Sequence, residues 1–191
     1  MGFLNRLFGR TDAARTDALR IYNTVMSQAR LPEFYGANRA ADNYDGRIDI
    51  LSLHLSIVIR ALNRHGEHGK RLAQAVYEVM RDDWDVALRE EGMSDTGTMK
   101  RIKPMIRLFY TRMKAYTDGI DAGSIEQALH VGVLARDLDD VETDENSGND
   151  IHGPFVAPLS AYAMACVRAI DGKTLGQIAL AEFDFPHPPQ R

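Results

Sequence analysis

Apolar residues recur at steps of three and four along most of the chain, which is the spacing of one face of an α-helix. The first such segment spans about Asp12–Ala29 and is closed by Pro32, because proline disfavours helical backbone in the residue before it. Later helices are predicted at about Gly69–Glu91, Asp95–Tyr116, from Ser124 onward, Pro158–Ile170 and Thr174–Ala181. Together with the segment described next, they predict an all-α fold: a single helical domain of about six or seven helices.

The segment Ile48–Leu62 is predicted to be a central helix, although its apolar residues also hint at the alternation of a strand. Its polar residues follow helical steps and form one narrow stripe: Asp49, Ser52, Ser56, Arg60 and Asn63. The rest of the circumference is apolar, as expected for a helix inside a bundle. At about 100° per residue, Arg47 and His54 lie near each other opposite the stripe. We therefore expect both to face inward or into a groove.

Asp83 falls on the apolar face of the third helix, where a carboxylate without a partner would be very costly. Arg47 and His54 are the candidate partners, so a buried structural cluster of Arg47, His54 and Asp83 is expected. We favour this interpretation over a catalytic one. The alternative is a small helical enzyme or lipid-handling protein with a pocket around the same three residues.

Composition limits the possible functions. The chain has 191 residues, of which 45% are hydrophobic and 26% charged, enough for one soluble domain with a real core. The net charge of −4 argues against electrostatic binding of nucleic acid by the molecule as a whole. No apolar run approaches the roughly 18–20 residues needed to cross a bilayer.

Metal and cysteine chemistry finds little support. A lone cysteine, Cys166, excludes an internal disulfide framework and a cysteine-based zinc site. His65, Glu67 and His68 do not have the spacing of the helical histidine pair in a zinc protease. We therefore expect neither a metal nor a cofactor. Pro104 lies inside the fourth predicted helix and is expected to kink or interrupt it.

The two ends and one internal segment differ from the helical domain, which is assigned to residues 12–183. Residues 1–11 form a basic amphipathic segment suited to an anionic membrane surface, or alternatively one that packs on its own domain. Its predicted membrane-contact residues are Phe3, Leu4, Arg6, Leu7, Phe8 and Arg10. Residues 137–150 hold seven acids and no base, which predicts a solvated loop, and residues 184–191 form a proline-rich tail.

The loop between the first two helices, Leu31–Tyr44, is rich in aromatic residues. Phe34, Tyr35 and Tyr44 stand there among small and polar residues. Aromatic side chains on a loop often anchor a binding partner. The same side chains are also suited to plugging the end of a helical bundle, and the sequence leaves both interpretations open.

Several motifs follow one another in an order that resembles the ubiquinol–cytochrome c chaperone family, which assembles the cytochrome bc1 complex. They are Tyr22-Asn23, Gln28-Ala29-Arg30, Pro32-Glu33-Phe34-Tyr35, Asp45-Gly46-Arg47 with Asp49 and His54, Val79-Met80, Asp83, Asp85, Leu88-Arg89, Gly92, Asp95, Lys100-Arg101-Ile102-Lys103, and Phe109-Tyr110 with Arg112. The resemblance covers about Ala18–Val133. Pro104 departs from it, since the family usually continues a basic helix there.

The resemblance implies a non-enzymatic assembly chaperone of the alphaproteobacterial type. Its implied client is newly made cytochrome b or an assembly intermediate, with a small partner protein and the ribosome as further partners, and no DNA. The absence of a clear mitochondrial presequence favours a cytoplasmic protein, peripheral at the cytoplasmic face of the inner membrane. The residues expected to contact a partner are Phe34, Tyr35, Tyr44, Arg47, Arg101 and Lys103. A plain interaction module without a membrane role is the remaining alternative.

Overall fold

The computed structural model describes the backbone of residues 3–131 and 153–190, and the side chains of residues 13–130 and 155–190. Seven α-helices and no strand occur in these ranges, which confirms the all-α prediction. The helices are α1 (Phe3–Ala29), α2 (Tyr44–Asn63), α3 (Gly66–Glu90), α4 (Asp95–Asp121), α5 (Glu126–Val131), α6 (Gly153–Asp171) and α7 (Leu175–Ala179). A short 3₁₀ turn, Pro32–Phe34, follows α1.

Helices α2 and α4 begin at polar caps that the sequence supplies. The side chain of Asn43 accepts a hydrogen bond from the Gly46 N–H at the start of α2, and Ser94 caps α4 in the same way through Gly97. These side chains satisfy N–H groups that have no partner within the helix. Gly46 is required by space, because a Cβ there would lie 2.1 Å from the carbonyl oxygen of Ala41.

Helix α2 is the centre of the fold, as predicted. It packs against α1, α3, α4 and α6, and 15 of its 20 residues are buried. Its polar stripe does not face solvent, however. Asp49, Ser52 and Ser56 are all buried, so the helix carries polar groups into the core and each of them needs a partner.

Ion pairs join the far end of α2 to two other helices. The Arg60 guanidinium lies 2.7 Å from a carboxylate oxygen of Asp121 at the end of α4 and 3.0 Å from Asp171 at the end of α6. Arg64 also reaches Asp171, at 2.7 Å. The three helix ends are therefore held together by one charged network, most of it open to solvent.

Helix α4 runs without interruption through Pro104, so the predicted interruption is wrong. Proline leaves the carbonyl of the residue four positions earlier, Lys100, without its helical hydrogen bond. Both Pro104 and Lys100 are exposed, and water can therefore satisfy this carbonyl at little cost.

The segment that follows α7, residues 182–190, has no regular secondary structure but is part of the packing. Phe183 is buried, the amide of Gln28 donates to the carbonyl of Pro186, and Arg39 donates to the carbonyl of Pro189. This proline-rich stretch therefore lies against α1 and the loop before α2. The predicted acidic loop, residues 137–150, falls outside the described residues.

Candidate functional site

Arg47 does not join the predicted buried cluster. Its side chain is 56% exposed and lies 2.7 Å from Asp42, and its guanidinium stacks 5.5 Å from the ring centre of Tyr35. The helical angle placed Arg47 on the same side of α2 as His54. Burial also changes along the axis, however, and Arg47 lies in the first turn, where the helix leaves the core.

Asp83 is also outside the core. It is exposed and accepts a hydrogen bond of 2.7 Å from the Tyr22 hydroxyl. The inward row of α3 continues through Met80, Trp84 and Leu88, all of them buried. Because residues four apart drift around a helix, this row turns away from Asp83. The predicted cluster of Arg47, His54 and Asp83, and a pocket built on it, are therefore wrong.

His54 faces inward as predicted, but into a closed network. Its ring is fully buried, with Nδ1 2.7 Å from the carbonyl of Ile50 and Nε2 2.7 Å from the Tyr162 hydroxyl. A carbonyl only accepts, so Nδ1 carries the proton and Nε2 accepts from Tyr162. Gln28 in turn donates to the oxygen of Tyr162. Burial lowers the pKa of His54 to about 4, against the hydrogen bond to Ile50, so the ring is neutral.

The aromatic loop closes over this network. Phe34 is fully buried and meets the rings of His54 and Tyr162 edge-on at 5.3 and 5.2 Å. Tyr35 is 7% exposed, and its hydroxyl donates to the carbonyl of Ala29. Both rings plug the end of the bundle, and Phe34 has no exposed surface for the expected partner contact. The expected partner contact of Tyr35 stays a prediction. Tyr44 is half-buried.

The buried charge pair of this protein is Asp49 with Arg112. An oxygen of Asp49 on α2 lies 3.0 Å from Nε of Arg112 on α4, and the side chains are only 7% and 13% exposed. The pair is close but poorly aligned, since neither Nε nor that oxygen makes a hydrogen bond of good geometry. Burial raises the pKa of Asp49 to about 7, and Arg112 opposes that rise.

A groove of about 690 Å³ runs between the end of α2 and the C-terminal half of α4. Its apolar wall is formed by Ile59 and Met113, and its rim by Arg60, Lys114 and other charged residues. A smaller hollow of about 150 Å³ continues from it toward α3 and shares both apolar residues. We call the two together the α4 groove.

The floor of the α4 groove is aromatic. Tyr77 and Phe109 stack with ring centres 6.3 Å apart, and Tyr110 lies 5.3 Å from Tyr77. Tyr110 is nevertheless 44% exposed, and burial raises the pKa of its hydroxyl to about 12, together with a hydrogen bond to Tyr77. Exposed aromatic and methionine side chains with a charged rim are typical of sites that bind apolar protein segments.

A second groove, of about 580 Å³, lies beside the loop before α2. It is lined in part by Tyr35, Arg39, Phe155 and Pro158. The guanidinium of Arg39 covers the ring of Phe155 at 4.8 Å. The cation therefore already has an aromatic partner inside the domain, and we assign no ligand to this groove.

Of the other predicted contact residues, Arg101 and Lys103 are exposed on α4, on the side away from the core. The guanidinium of Arg101 lies 5.9 Å from the ring centre of Tyr44.

The predicted membrane-contact residues fall in the first turns of α1, and their side chains lie outside the described range. No helix in the described part of the chain is long and apolar enough to cross a membrane. No group of His, Cys, Asp or Glu residues there could hold a metal ion.

Two parts of the site were missed by sequence reasoning. Asp49 and Arg112 both stand in the motifs quoted above, but a pair 63 positions apart cannot be assigned without the packing. The sequence contains only a weak indication of the α4 groove: Tyr110 and Met113 fall at the border of the apolar face of α4 rather than at its centre. Such border positions are where a helix can offer apolar surface to a partner.

The fold and its surfaces define an all-α domain with a closed core, whose open features are grooves rather than a charged pocket. A family model for the ubiquinol–cytochrome C chaperone matches residues 38–185. The chain therefore belongs to the ubiquinol–cytochrome C chaperone family, as the sequence motifs indicated.

A solved structure supports the same assignment. The crystal structure of the Cbp3 homolog from Brucella abortus is similar to this chain, with a TM-score of 0.74 and 28% sequence identity. The match covers 98% of this chain and 99% of that one, so it extends over the whole fold. No curated protein sequence gives a significant match.

Replacing Asp49 by Ala should strongly destabilise the protein, because it leaves the guanidinium of Arg112 buried without a carboxylate. At pH 8, where Asp49 is mostly ionised, we expect a loss of about 3–5 kcal/mol in the free energy of unfolding, measured by urea denaturation. The double variant Asp49→Leu/Arg112→Met should lose less than the single one. Asp83→Ala is the control and should cost less than about 1.5 kcal/mol. Equal losses for Asp49→Ala and Asp83→Ala would contradict the assigned pair.

His54 should make the fold sensitive to acid. Its pKa is about 4 in the folded protein and 6.5 ordinarily, so the unfolded chain takes up the proton first. The stabilisation is complete above pH 6.5 and is lost as the pH falls toward 4, by roughly 3 kcal/mol at pH 4. The stability difference between wild type and His54→Gln should shrink by this amount between pH 7 and 4. Asp49 titrates in both proteins, so its contribution cancels in the difference between them.

The control for this measurement is His68→Gln, because His68 is exposed on α3. Its stability difference from wild type is measured over the same pH range. A change for His54→Gln no larger than that for His68→Gln would show that the ring of His54 is not held neutral.

Proposed function

We propose that this protein is a non-enzymatic assembly chaperone for the cytochrome bc1 complex, which binds newly made cytochrome b or an assembly intermediate at the membrane. Membership of the ubiquinol–cytochrome C chaperone family supports the chaperone role. The match to the Cbp3 homolog along the full fold supports it independently. The client and the place of binding are our proposal.

The α4 groove is the observation that carries the client proposal. A client such as cytochrome b exposes apolar helices before assembly, and a chaperone must cover that surface and then release it. Tyr110 and the partly buried Met113 supply apolar contact area in a shallow groove. Methionine adapts to different partner shapes. The charged rim, including Arg60 and Lys114, would keep the groove soluble when it is empty.

The core argues for a scaffold rather than a catalyst. His54 and Tyr162 are satisfied by each other and by Ile50 and Gln28, and His54 has no exposed surface. A general acid or base must reach the proton that it transfers. The neutral, sealed imidazole fits a role in holding α2, α6 and the aromatic loop together.

We further propose the cytoplasmic face of the inner membrane as the place of action. The basic amphipathic residues 1–11 support a weak membrane contact there, through Phe3, Leu4, Arg6, Leu7, Phe8 and Arg10. A small partner protein and the ribosome are additional proposed partners, as the family resemblance implies. Exposed Arg47, Arg101 and Lys103 and half-buried Tyr44 remain available for such contacts.

Deleting the gene should deplete the assembled cytochrome bc1 complex, because its client is no longer protected before assembly. Blue-native gels and ubiquinol–cytochrome c reductase activity in membranes measure the effect, and transcripts of the bc1 subunits should be unchanged. Re-expression of the wild-type chain is the control. Normal complex levels in the deletion strain would refute the proposed function.

Replacing Tyr110 by Asp should weaken client binding, because a charge would stand on the apolar floor of the α4 groove. We expect at least about a tenfold drop in cytochrome b recovered with the affinity-purified protein, the loss typical of a central interface aromatic. Tyr110→Phe should bind nearly as the wild type does. The matched control is Val86→Asp, which charges an equally exposed apolar residue on α3.

Both substituted residues are partly exposed, and the melting temperature of each variant checks that it remains folded. Equal recovery of cytochrome b with Tyr110→Asp and Val86→Asp would place the client site elsewhere.

A further inference from the structure

The cations of this protein divide into two groups. Ten described Lys and Arg side chains lie within 4.0 Å of a carboxylate. Of the nine described cations without such a partner, four fall between Lys100 and Arg107, in a stretch of eight residues on α4. One of the four, Arg101, stacks on Tyr44. Lys100, Lys103 and Arg107 have no ionic or aromatic partner among the described side chains.

Helical geometry places Lys100, Lys103 and Arg107 on one face. At about 100° per residue they fall within an arc of about 60°, opposite the buried row that contains Ile102 and Phe109. All three cations are exposed. Residues 96–117 contain no acid, although the protein as a whole carries a charge of −4. This stripe of three cations, which we call the α4 basic stripe, is therefore a local positive surface on an acidic protein.

Apolar side chains border the α4 basic stripe on both sides. Leu108 is 39% exposed on one side, and Met99 and Tyr110 are 52% and 44% exposed on the other. A basic helix face is attracted to an anionic bilayer, at about 1 kcal/mol for each cation near the surface. The cations meet the lipid phosphates, and the apolar side chains at the two edges of the stripe contact the headgroup region beside them.

Other anionic partners fit this surface less well. Single-stranded RNA is bound largely by open aromatic rings on which bases stack. Tyr110, the aromatic residue beside the stripe, already packs against Tyr77 in a tilted arrangement and against Phe109 edge-on. The apolar side chains of Met99 and Leu108 form neither hydrogen bonds nor ion pairs with a phosphate backbone. A lipid surface uses both the charges and the aliphatic groups.

We propose that the α4 basic stripe, with Met99 and Leu108, binds the anionic headgroup surface of a membrane. This contact is separate from that of residues 1–11 and deepens the proposed function at the membrane. Tyr110 borders both the stripe and the α4 groove, so binding through the stripe brings the groove close to the bilayer surface. A client segment leaving the bilayer would then meet the groove without crossing much water.

Vesicle flotation of the full-length protein, without client, tests this proposal. Wild type should bind vesicles of equimolar phosphatidylcholine and phosphatidylglycerol, should bind pure phosphatidylcholine weakly, and should lose binding as salt rises. The triple variant Lys100→Ala/Lys103→Ala/Arg107→Ala should bind roughly a hundredfold more weakly, at about fivefold for each cation. Residues 1–11 are unchanged in every protein, so their contribution is constant.

The matched control for charge is Arg71→Ala/Arg168→Ala/Lys173→Ala. It removes three cations from α3, α6 and the turn after α6 that have no carboxylate partner among the described side chains. It should bind nearly as the wild type does. For the apolar contribution, Met99→Ser/Leu108→Ser should weaken binding, whereas Val86→Ser/Leu180→Ser, at similarly exposed positions, should not. Circular dichroism confirms that each variant is folded.

Failure of wild type to bind the anionic vesicles, or equal binding by the two triple variants, would overturn the proposal. A mixed-sequence RNA oligonucleotide is the competing ligand. If the Lys100, Lys103 and Arg107 substitutions abolish binding to this RNA and leave vesicle binding intact, the stripe is an RNA surface and not a lipid one. Vesicle binding involves no client, so a negative result leaves the chaperone function standing.

Discussion

The burial of α2 on all sides is the constraint on which the rest of the structure depends. A helix in this position needs neighbours around its whole circumference, and α1, α3, α4 and α6 provide them. It also needs a partner for each polar side chain that it carries inward, because a buried polar group without one is costly. The other helices are arranged so that they cover α2 and supply partners for its buried polar side chains.

The buried polar groups of α2 differ in how well their hydrogen bonds are satisfied. Ser56 donates to the backbone carbonyl of Ser52 within the same helix, which needs no second element. His54 accepts a hydrogen bond from Tyr162 on α6, which helps to fix the position of that helix. Asp49 depends on Arg112 from α4, in a contact that is short but misaligned. The buried hydroxyl of Ser52 has no hydrogen-bond partner among the described residues.

The two faces of α2 therefore differ in how completely they are closed. The face of α2 toward α1 and α6 is closed by hydrogen bonds and by the ring of Phe34. The face toward α4 holds the misaligned pair of Asp49 and Arg112 and borders the α4 groove. The proposed client site therefore lies on the side of α2 whose polar groups are less completely hydrogen-bonded.

Much of the fold could be predicted from the sequence, because helical periodicity is a local property. The central position of α2 followed from its nearly continuous apolar circumference, and so did the inward direction of His54. The predicted burial of Arg47 failed because periodicity gives the angle around a helix but not the depth along its axis. The predicted burial of Asp83 failed for a related reason, because the inward row of α3 drifts around the helix from one turn to the next.

The candidate site was harder to predict, since it depends on contacts between distant residues. Phe34 and Tyr35 were correctly recognised as unusual for a loop, but only the packing shows that they point into the domain. The partners of each cation likewise depend on which helix ends meet. That Lys100 and Lys103 lack a carboxylate partner among the described side chains could therefore not be predicted from a composition in which acids outnumber bases.

The segment after α7 has a kinetic consequence. Its Pro186 and Pro189 carbonyls bond to residues 158 and 150 positions earlier, and the partner of His54 comes from 108 positions later. Contacts this distant in sequence slow folding, because a long loop must close before they form. During synthesis, α1 and α2 emerge well before the residues that cover them. The apolar faces of this chaperone are thus themselves uncovered for a time, and it faces during its own synthesis the same hazard from which it is proposed to protect its client.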